Sequence, residues 1–137
     1  MSGLVLDASV TLCWLFESQS TPYTDGVLDR IALGWEALTS GVWPLEVANV
    51  LVVSERRALI KPAQSAAFVE VLRQLPIRAE TAAPDRVFRE VLETSRRFRL
   101  SAYDASYLEV AMRSSLPLAA VDGPLRKAAR AAGVSLL

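Results

Sequence analysis

The chain has 137 residues, which fits a single domain spanning residues 1–137 and is long enough to bury a substantial core. Fifteen basic and fifteen acidic residues balance, so no overall positive field favours nucleic acid, although the arginines cluster locally, as at 96–99 and 126–130. The sequence contains no histidine, which excludes a Ser-His-Asp triad and histidine-ligated zinc. Any enzymatic chemistry must therefore depend on carboxylates or a cofactor.

Hydropathy and cysteine content indicate the compartment. No stretch reaches the roughly 18 uninterrupted apolar residues that a membrane span requires. The apolar run from Leu4 to Phe16 is interrupted by Asp7 and lacks the basic start of a signal peptide. Cys13, the single cysteine, cannot form an internal disulfide and fits a reducing environment. We therefore expect a cytoplasmic protein with no membrane association.

Short apolar runs and helical periodicities alternate along the chain. The apolar runs predict five buried strands, at residues 3–6, 36–39, 77–80, 117–121 and 134–137. Helical spacing, prolines near helix starts and Gly133 near a helix end predict seven helices, at about residues 8–17, 21–33, 44–55, 61–76, 85–98, 101–113 and 123–133.

This alternation predicts an α/β fold, a three-layer sandwich with a parallel five-stranded sheet. Right-handed crossovers favour the strand order 3-2-1-4-5, in which the first and fourth strands are adjacent. Helices leave these two strands toward opposite faces, which opens a crevice at their carboxyl ends. Asp7 and Asp122 follow those two ends, so the topology predicts two carboxylates at the rim of one crevice.

Several acidic residues also have a purely structural interpretation. Asp7 can cap a helix, and Asp122 before Gly-Pro is an ordinary turn residue. Asp104 lies three residues after Ser101, which is the spacing of a capping box. Taken one at a time, these residues do not separate a structural role from a catalytic one.

Glu46 differs because it interrupts an almost wholly apolar helical segment, where a buried carboxylate needs a partner or a cation. The helix dipole favours Glu46 in the first turn, and Asn49 shares its helical face. Acids held close together repel unless something positive lies between them, and oxygen ligands suit Mg²⁺ or Mn²⁺. Such an ion would turn water into a nucleophile near neutral pH. The acids that could converge in this way are Asp7, Glu46, Asp104 and Asp122.

Four short segments surround these acids: V-L-D-A-S-V at 5–10, P-L-E-V-A-N-V-L at 44–51, L-S-A-Y-D-A-S-Y-L-E at 100–109 and P-L-A-A-V-D at 117–122. In this order they resemble the four acidic motifs of PIN-domain ribonuclease toxins of the VapC family. The similarity spans essentially the whole chain.

The resemblance implies a Mg²⁺- or Mn²⁺-dependent endoribonuclease that cuts RNA, the toxin of a type II toxin–antitoxin pair. It also implies a homodimer that a small DNA-binding antitoxin neutralises. Carried over by position, Asp7, Glu46, Asp104 and Asp122 are the catalytic and metal-binding acids. Ser9 is then the hydroxyl that orients Asp7 or a metal-bound water.

One position departs from the family pattern. Many relatives have Thr or Ser two residues before the last acid, where this sequence has Ala120. A lost hydroxyl removes a hydrogen bond worth about 1 kcal/mol. We expect weaker activity or looser metal binding rather than an inactive protein, because all four acids remain.

Two other functions are consistent with parts of the sequence. A phosphatase of the haloacid dehalogenase kind also begins with an aspartate after its first strand, but Ser9 stands where its second aspartate is needed, and only Lys61 and Lys127 could supply its lysine. A catalytically weak or inactive PIN-fold module that binds RNA or protein is the second alternative, and Ala120 favours it.

Apolar helices that a small sheet cannot cover predict a protein-binding surface. We expect an exposed strip formed by Val52, Val53, Leu59 and Ile60, against which an antitoxin helix and a second subunit bind.

Overall fold

A parallel sheet forms the centre of the molecule in the computed structural model, which describes residues 2–137. Its strands are β1 (Gly3–Leu6), β2 (Glu36–Thr39), β3 (Ile77–Ala79) and β4 (Leu118–Ala119), in the order β3-β2-β1-β4. Val5 on β1 pairs with Leu38 on one side and Leu118 on the other, and all pairings are parallel. The predicted order of these four strands is confirmed.

The predicted fifth strand, at residues 134–137, is wrong in length, because the structure has only one bridge there. Residues 134–137 contribute a single parallel bridge, between Leu118 and Leu136, beside β4. The amide of Leu118 donates to the Ser135 carbonyl at 2.9 Å, and the amide of Leu137 donates to the Leu118 carbonyl at 3.0 Å. Because β4 is itself only two residues long, it has no further backbone groups with which to extend the ladder. The sheet therefore has four strands and an edge bridge.

Helices connect the strands and begin and end close to the predicted residues. They are α1 (Ala8–Cys13), α2 (Pro22–Ala32), α3 (Trp43–Arg56), α4 (Pro62–Gln74), α5 (the consecutive segments Pro84–Arg86, π-helical Val87–Val91 and Leu92–Phe98), α6 (Ala102–Ser114) and α7 (Gly123–Ala131). None of the helices within residues 2–137 is long and apolar enough to cross a membrane.

The first helix is shorter than predicted, because α1 ends at Cys13 and a separate 3-10 turn spans Glu17–Gln19. The indole Nε1 of Trp14 donates to the carbonyl of Thr24 at 2.8 Å, which ties the end of α1 to α2. No glycine or proline between residues 14 and 17 signals this ending, so periodicity alone extended the helix too far.

Helices cover both faces of the sheet, which gives the three layers that the sequence predicted. Val5 and Leu118 pack on one face against Leu108 of α6 and Leu125 of α7. Leu4 and Leu6 point to the other face, where residues of α1 and α2 cover them. The alternation of side chains along β1 therefore places one half of the core on each side.

The expected apolar strip is only partly present. Val52 is 37% exposed and Leu59 is 62% exposed, but Ile60 is buried in a cluster between α3 and α4 and Val53 is half-buried. Leu45, 74% exposed, adds an apolar side chain in the first turn of α3. Exposed apolar side chains therefore occur at the start of α3 as well as at two of the four predicted positions.

An ion-pair network joins the helical layer on one face to the end of β3. Glu109 of α6 is buried and receives two hydrogen bonds from Arg113, at 2.8 and 3.2 Å. Arg113 also pairs with Glu80 at 2.5 Å, and Arg86 of α5 lies 3.8 Å from Glu109. Hydrogen bonds from Arg113 to these carboxylates raise the pKa of its guanidinium, so Arg113 stays charged.

We expect Arg113→Leu to lower the free energy of unfolding by about 2–3 kcal/mol, because it leaves the buried Glu109 carboxylate with only the more distant Arg86. The matched control is Arg96→Leu, whose exposed ion pair with Glu93 contributes no more than about 0.5 kcal/mol. Urea unfolding of both variants measures the difference. Equal losses in the two variants would mean that the network does not hold α6.

Candidate functional site

Asp7 lies directly after β1 and caps the N-terminus of α1. It is 4% exposed, and its Oδ2 accepts hydrogen bonds from both the amide and the hydroxyl of Ser9. The Ser9 hydroxyl in turn accepts from the amide of Val121 at 3.1 Å. Ser9 thus connects the ends of the neighbouring strands β1 and β4 beside the Asp7 carboxylate.

Asp122 caps α7, since its Oδ2 accepts from the amide of Leu125 at 2.9 Å. Ala120, two residues earlier, is fully buried among apolar residues, and its carbonyl accepts from Arg126 at 2.8 Å. Position 120 is therefore a packing position. The hydroxyl that does lie between β1 and β4 is that of Ser9.

Glu46 lies in the first turn of α3, where its Oε1 accepts from the hydroxyl of Tyr107 at 2.6 Å. The start of α3 is also tied to α1, because the indole Nε1 of Trp43 donates to the hydroxyl of the buried Thr11 at 2.9 Å. The partner that a carboxylate in this apolar helix was expected to need is therefore the hydroxyl of Tyr107. Asn49 is exposed and makes no hydrogen bond to Glu46 among the contacts of residues 2–137.

Asp104 lies in the first turn of α6, which Ser101 caps by accepting from the Asp104 amide at 3.1 Å. The reciprocal bond of a capping box, from the Ser101 amide to the Asp104 carboxylate, is absent from the contacts described for residues 2–137. The cap therefore uses only the backbone of Asp104 and leaves its carboxylate available.

The four acids are near enough for their charges to interact. Burial raises the pKa of Asp7 to about 7, the hydrogen bonds from Ser9 lower it, and the charges of Asp104 and Glu46 raise it further. Burial raises the pKa of Asp104 as well, and the charges of Asp122 and Glu46 add to that effect. Among residues 2–137, no lysine or arginine is among the groups that shift the pKa of Asp7 or Asp104. Repulsion at these two carboxylates is therefore not offset by a basic side chain.

These side chains fit a divalent cation in donor chemistry. Asp7, Glu46 and Asp122 each use one oxygen in a hydrogen bond, and the contacts of residues 2–137 include no hydrogen bond to the other oxygen. None of these other oxygens is a buried atom without a partner, so each keeps access to solvent. Hard carboxylate oxygens in this number are the ligands that Mg²⁺ and Mn²⁺ prefer.

The acids do not yet have the spacing of a formed metal site. Within residues 2–137, no group of three or more acidic or cysteine side chains is close enough to hold one ion. The sequence placed all four acids around one point. The structure places them on four separate elements at the same edge of the sheet, so the carboxylates must come closer together before they can share an ion.

Sequence reasoning missed three residues that position these acids. Tyr107, Thr11 and Trp43 read as ordinary core residues at helical spacing, and only their hydrogen bonds distinguish them. The sequence did indicate that Tyr107 lies near Asp104, since residues three apart in a helix are on nearly the same face. Which acid it bonds depends on tertiary contact with α3.

Comparison by sequence alone finds no relative: no family model matches the chain, and no curated protein matches it. Solved structures do match in fold. The structure of VapBC2 from Rickettsia felis, bound to a DNA fragment from their promoter, has a TM-score of 0.72 and 11% identity, over 98% of this chain and 97% of that chain. Mycobacterium tuberculosis VapC20, a sarcin-ricin loop cleaving toxin, has a TM-score of 0.65 and 16% identity, over 98% of both chains.

PAE2754 from Pyrobaculum aerophilum is 22% identical, with a TM-score of 0.68 over 93% of this chain and 84% of that chain. The layers and the order of the four strands are those of an α/β fold that this chain shares with these solved structures. More narrowly, the chain has the fold of the VapC toxins, as the sequence resemblance implied. At 11–22% identity the likeness concerns the fold alone.

The raised pKa of Asp7 has a consequence for stability without metal. Asp7 holds its proton to about pH 7 in the folded protein, whereas an unfolded aspartate loses it near pH 3.9. The folded state therefore binds more protons across this range, and its advantage is lost as the pH rises through 7. We expect the free energy of unfolding in chelator to fall from pH 5 to pH 8, by at most about 1.4 kcal/mol per pH unit.

Asp7→Asn removes this titration, so its unfolding free energy should change less over the same pH range. Urea unfolding at pH 5, 6, 7 and 8 measures both proteins. Parallel pH profiles for the wild type and Asp7→Asn would show that Asp7 is not protonated in the folded state near neutral pH.

Proposed function

We propose that this protein is a metal-dependent endoribonuclease, the toxin component of a type II toxin–antitoxin pair. One observation carries the proposal: acids on four separate elements lie at the carboxyl edge of a sheet whose fold is that of VapC toxins. A protein that needed these acids only for helix capping would have no reason to place their uncompensated charges within reach of each other.

The protein's own residues prepare a site for Mg²⁺ or Mn²⁺. The residues that would hold it are Asp7, Glu46, Asp104 and Asp122. When bound, such an ion supplies the positive charge that activates water and stabilises negative charge on a phosphodiester. Ser9 holds one oxygen of Asp7 and leaves the other directed away from that bond. Ser9 and Leu125 fix the caps of α1 and α7, so both carboxylates are oriented before any ligand binds.

Basic side chains on the helix that begins at this edge suit a polyanionic substrate. Lys127 and Arg130 are exposed on α7, the helix that Asp122 caps. They lie three residues apart and therefore share one helical face. We propose that this face contacts RNA phosphates beside the acidic edge. A local group of basic side chains can attract RNA in this way even though the net charge of the protein is zero. VapC20 is a sarcin-ricin loop cleaving toxin, which supports RNA as the substrate class.

A protein partner is the second part of the proposal. VapBC2 shares this fold, and we infer that the present chain also binds a cognate antitoxin and forms a homodimer. Exposed apolar side chains on and near α3 and α4 support this, because Leu45, Leu59 and Val71 offer apolar surface that a protein partner could cover.

Asp7→Asn is expected to reduce RNA cleavage by at least about a hundredfold, because the near-isosteric amide carries no charge for the cation. The matched control is Asp29→Asn, an exposed aspartate on α2, which should cleave at the wild-type rate. Cleavage of a structured RNA is measured with Mn²⁺, with Mg²⁺ and with chelator.

Two results would overturn the proposal in different ways. Full activity of Asp7→Asn would show that the acids at the carboxyl edge are not needed for RNA cleavage. A wild-type protein that binds RNA but cuts none with either metal would establish the non-catalytic binding module.

A further inference from the structure

Tyr107 is a fully buried side chain of α6 that makes one specific polar contact with the acidic edge. Its hydroxyl donates to Oε1 of Glu46 at 2.6 Å, across 61 residues of sequence. Asp104 precedes it by three residues on the same helix. The bond therefore connects the helix that carries one acid to the helix that carries another.

The hydroxyl lies at a junction of three elements. Burial and the hydrogen bond to Glu46 raise the pKa of Tyr107, and the nearby charge of Asp7 contributes to the same effect. The backbone of Ala8, at the start of α1, lowers the pKa of Tyr107 to a smaller extent. The phenol therefore keeps its proton at neutral pH and remains a donor to Glu46.

The contact restrains Glu46 without using up its carboxylate. A glutamate side chain has several rotatable bonds, so an unrestrained Glu46 in the first turn of α3 would sample many orientations. A carboxylate can accept about four hydrogen bonds or ligands over its two oxygens. The bond from Tyr107 occupies part of Oε1 and leaves Oε2 without a hydrogen bond among residues 2–137.

We propose that Tyr107 is a positioning residue that holds the Glu46 carboxylate toward Asp7 and Asp104, so that Glu46 is oriented for a divalent cation in advance. This inference rests on the proposed function, since it assigns a role within the same site. Groups that hydrogen-bond to metal ligands fix their orientation, and their loss typically weakens metal binding by about 10–100-fold.

A purely structural role for Tyr107 makes a different prediction. The ring packs in the core with Val5 and Leu108. In a purely structural role, the hydroxyl bonds Glu46 simply because a buried hydroxyl needs a hydrogen-bond partner. In that case Tyr107→Phe would change stability and leave cation binding as it was. Tyr107→Phe keeps the ring and removes one oxygen, so the variant separates the two roles.

Tyr23 provides the matched control. Its hydroxyl is buried and has no hydrogen-bond partner among residues 2–137, and its ring lies under the guanidinium of Arg126. Tyr23→Phe therefore removes the same buried hydroxyl oxygen, from a half-buried tyrosine, without breaking a bond to an acid.

The experiment titrates Mn²⁺ into the wild type, Tyr107→Phe and Tyr23→Phe by calorimetry, with folding checked by urea unfolding. We expect the Kd for Mn²⁺ to rise about tenfold in Tyr107→Phe and to stay within about twofold in Tyr23→Phe. On RNA, kcat should fall in Tyr107→Phe while KM stays unchanged, because the substrate contacts are intact. In a Glu46→Gln background, Tyr107→Phe should have little further effect on the Kd, since it acts through Glu46.

The outcomes are distinguishable. A wild-type protein that binds no Mn²⁺ overturns the proposed function and this inference with it. A wild type that binds Mn²⁺ and a Tyr107→Phe variant that binds it equally well overturn the inference alone. A tenfold loss that persists unchanged in the Glu46→Gln background also overturns it, because Tyr107 would then act through another group.

Discussion

Repulsion among acids at one edge of the sheet is the constraint on which the rest of this structure depends. Asp7 and Asp122 cap α1 and α7, and Glu46 and Asp104 lie in the first turns of α3 and α6. Each carboxylate therefore faces the positive end of a helix dipole, which partly offsets the cost of gathering the charges. The offset is incomplete, since burial and neighbouring charges still raise the pKa of Asp7 to about 7.

The hydrogen bonds around these acids keep them from moving apart. Ser9 connects Asp7 to the backbone after β4, and Trp43 fixes the start of α3 against α1 through Thr11. Tyr107 connects Glu46 to α6. A carboxylate that is fixed in this way cannot relieve repulsion by turning fully into solvent, so the arrangement is most stable when a proton or a cation neutralises it.

Much of the fold could be predicted from the sequence because buried parallel strands are short, wholly apolar runs that end in polar residues. The run before Asp7 and the run before Asp122 identified the adjacent strands β1 and β4 and the edge where the acids lie. The fifth strand could not be predicted correctly, because the two-residue length of β4 depends on where Asp122 turns the chain into α7. The end of α1 was missed because the Trp14 side chain, rather than a helix-breaking residue, redirects the chain there.

The acids of the site were more predictable than the residues that orient them. Glu46 was conspicuous because a charge interrupts an apolar helix, and this physical argument correctly required a partner for it. Tyr107 was not conspicuous, because an aromatic residue at helical spacing is ordinarily core. Its role depends on a contact with α3 across the fold, which local periodicity does not encode.

Anomalous diffraction from crystals of the wild-type protein grown with saturating Mn²⁺ tests the central claim most directly. We expect an anomalous peak at the carboxyl edge of the sheet, about 2.1 Å from oxygens of at least two of the four acids, with those carboxylates drawn together around the ion. An acidic edge without a peak under these conditions, its carboxylates still separated, would contradict the account.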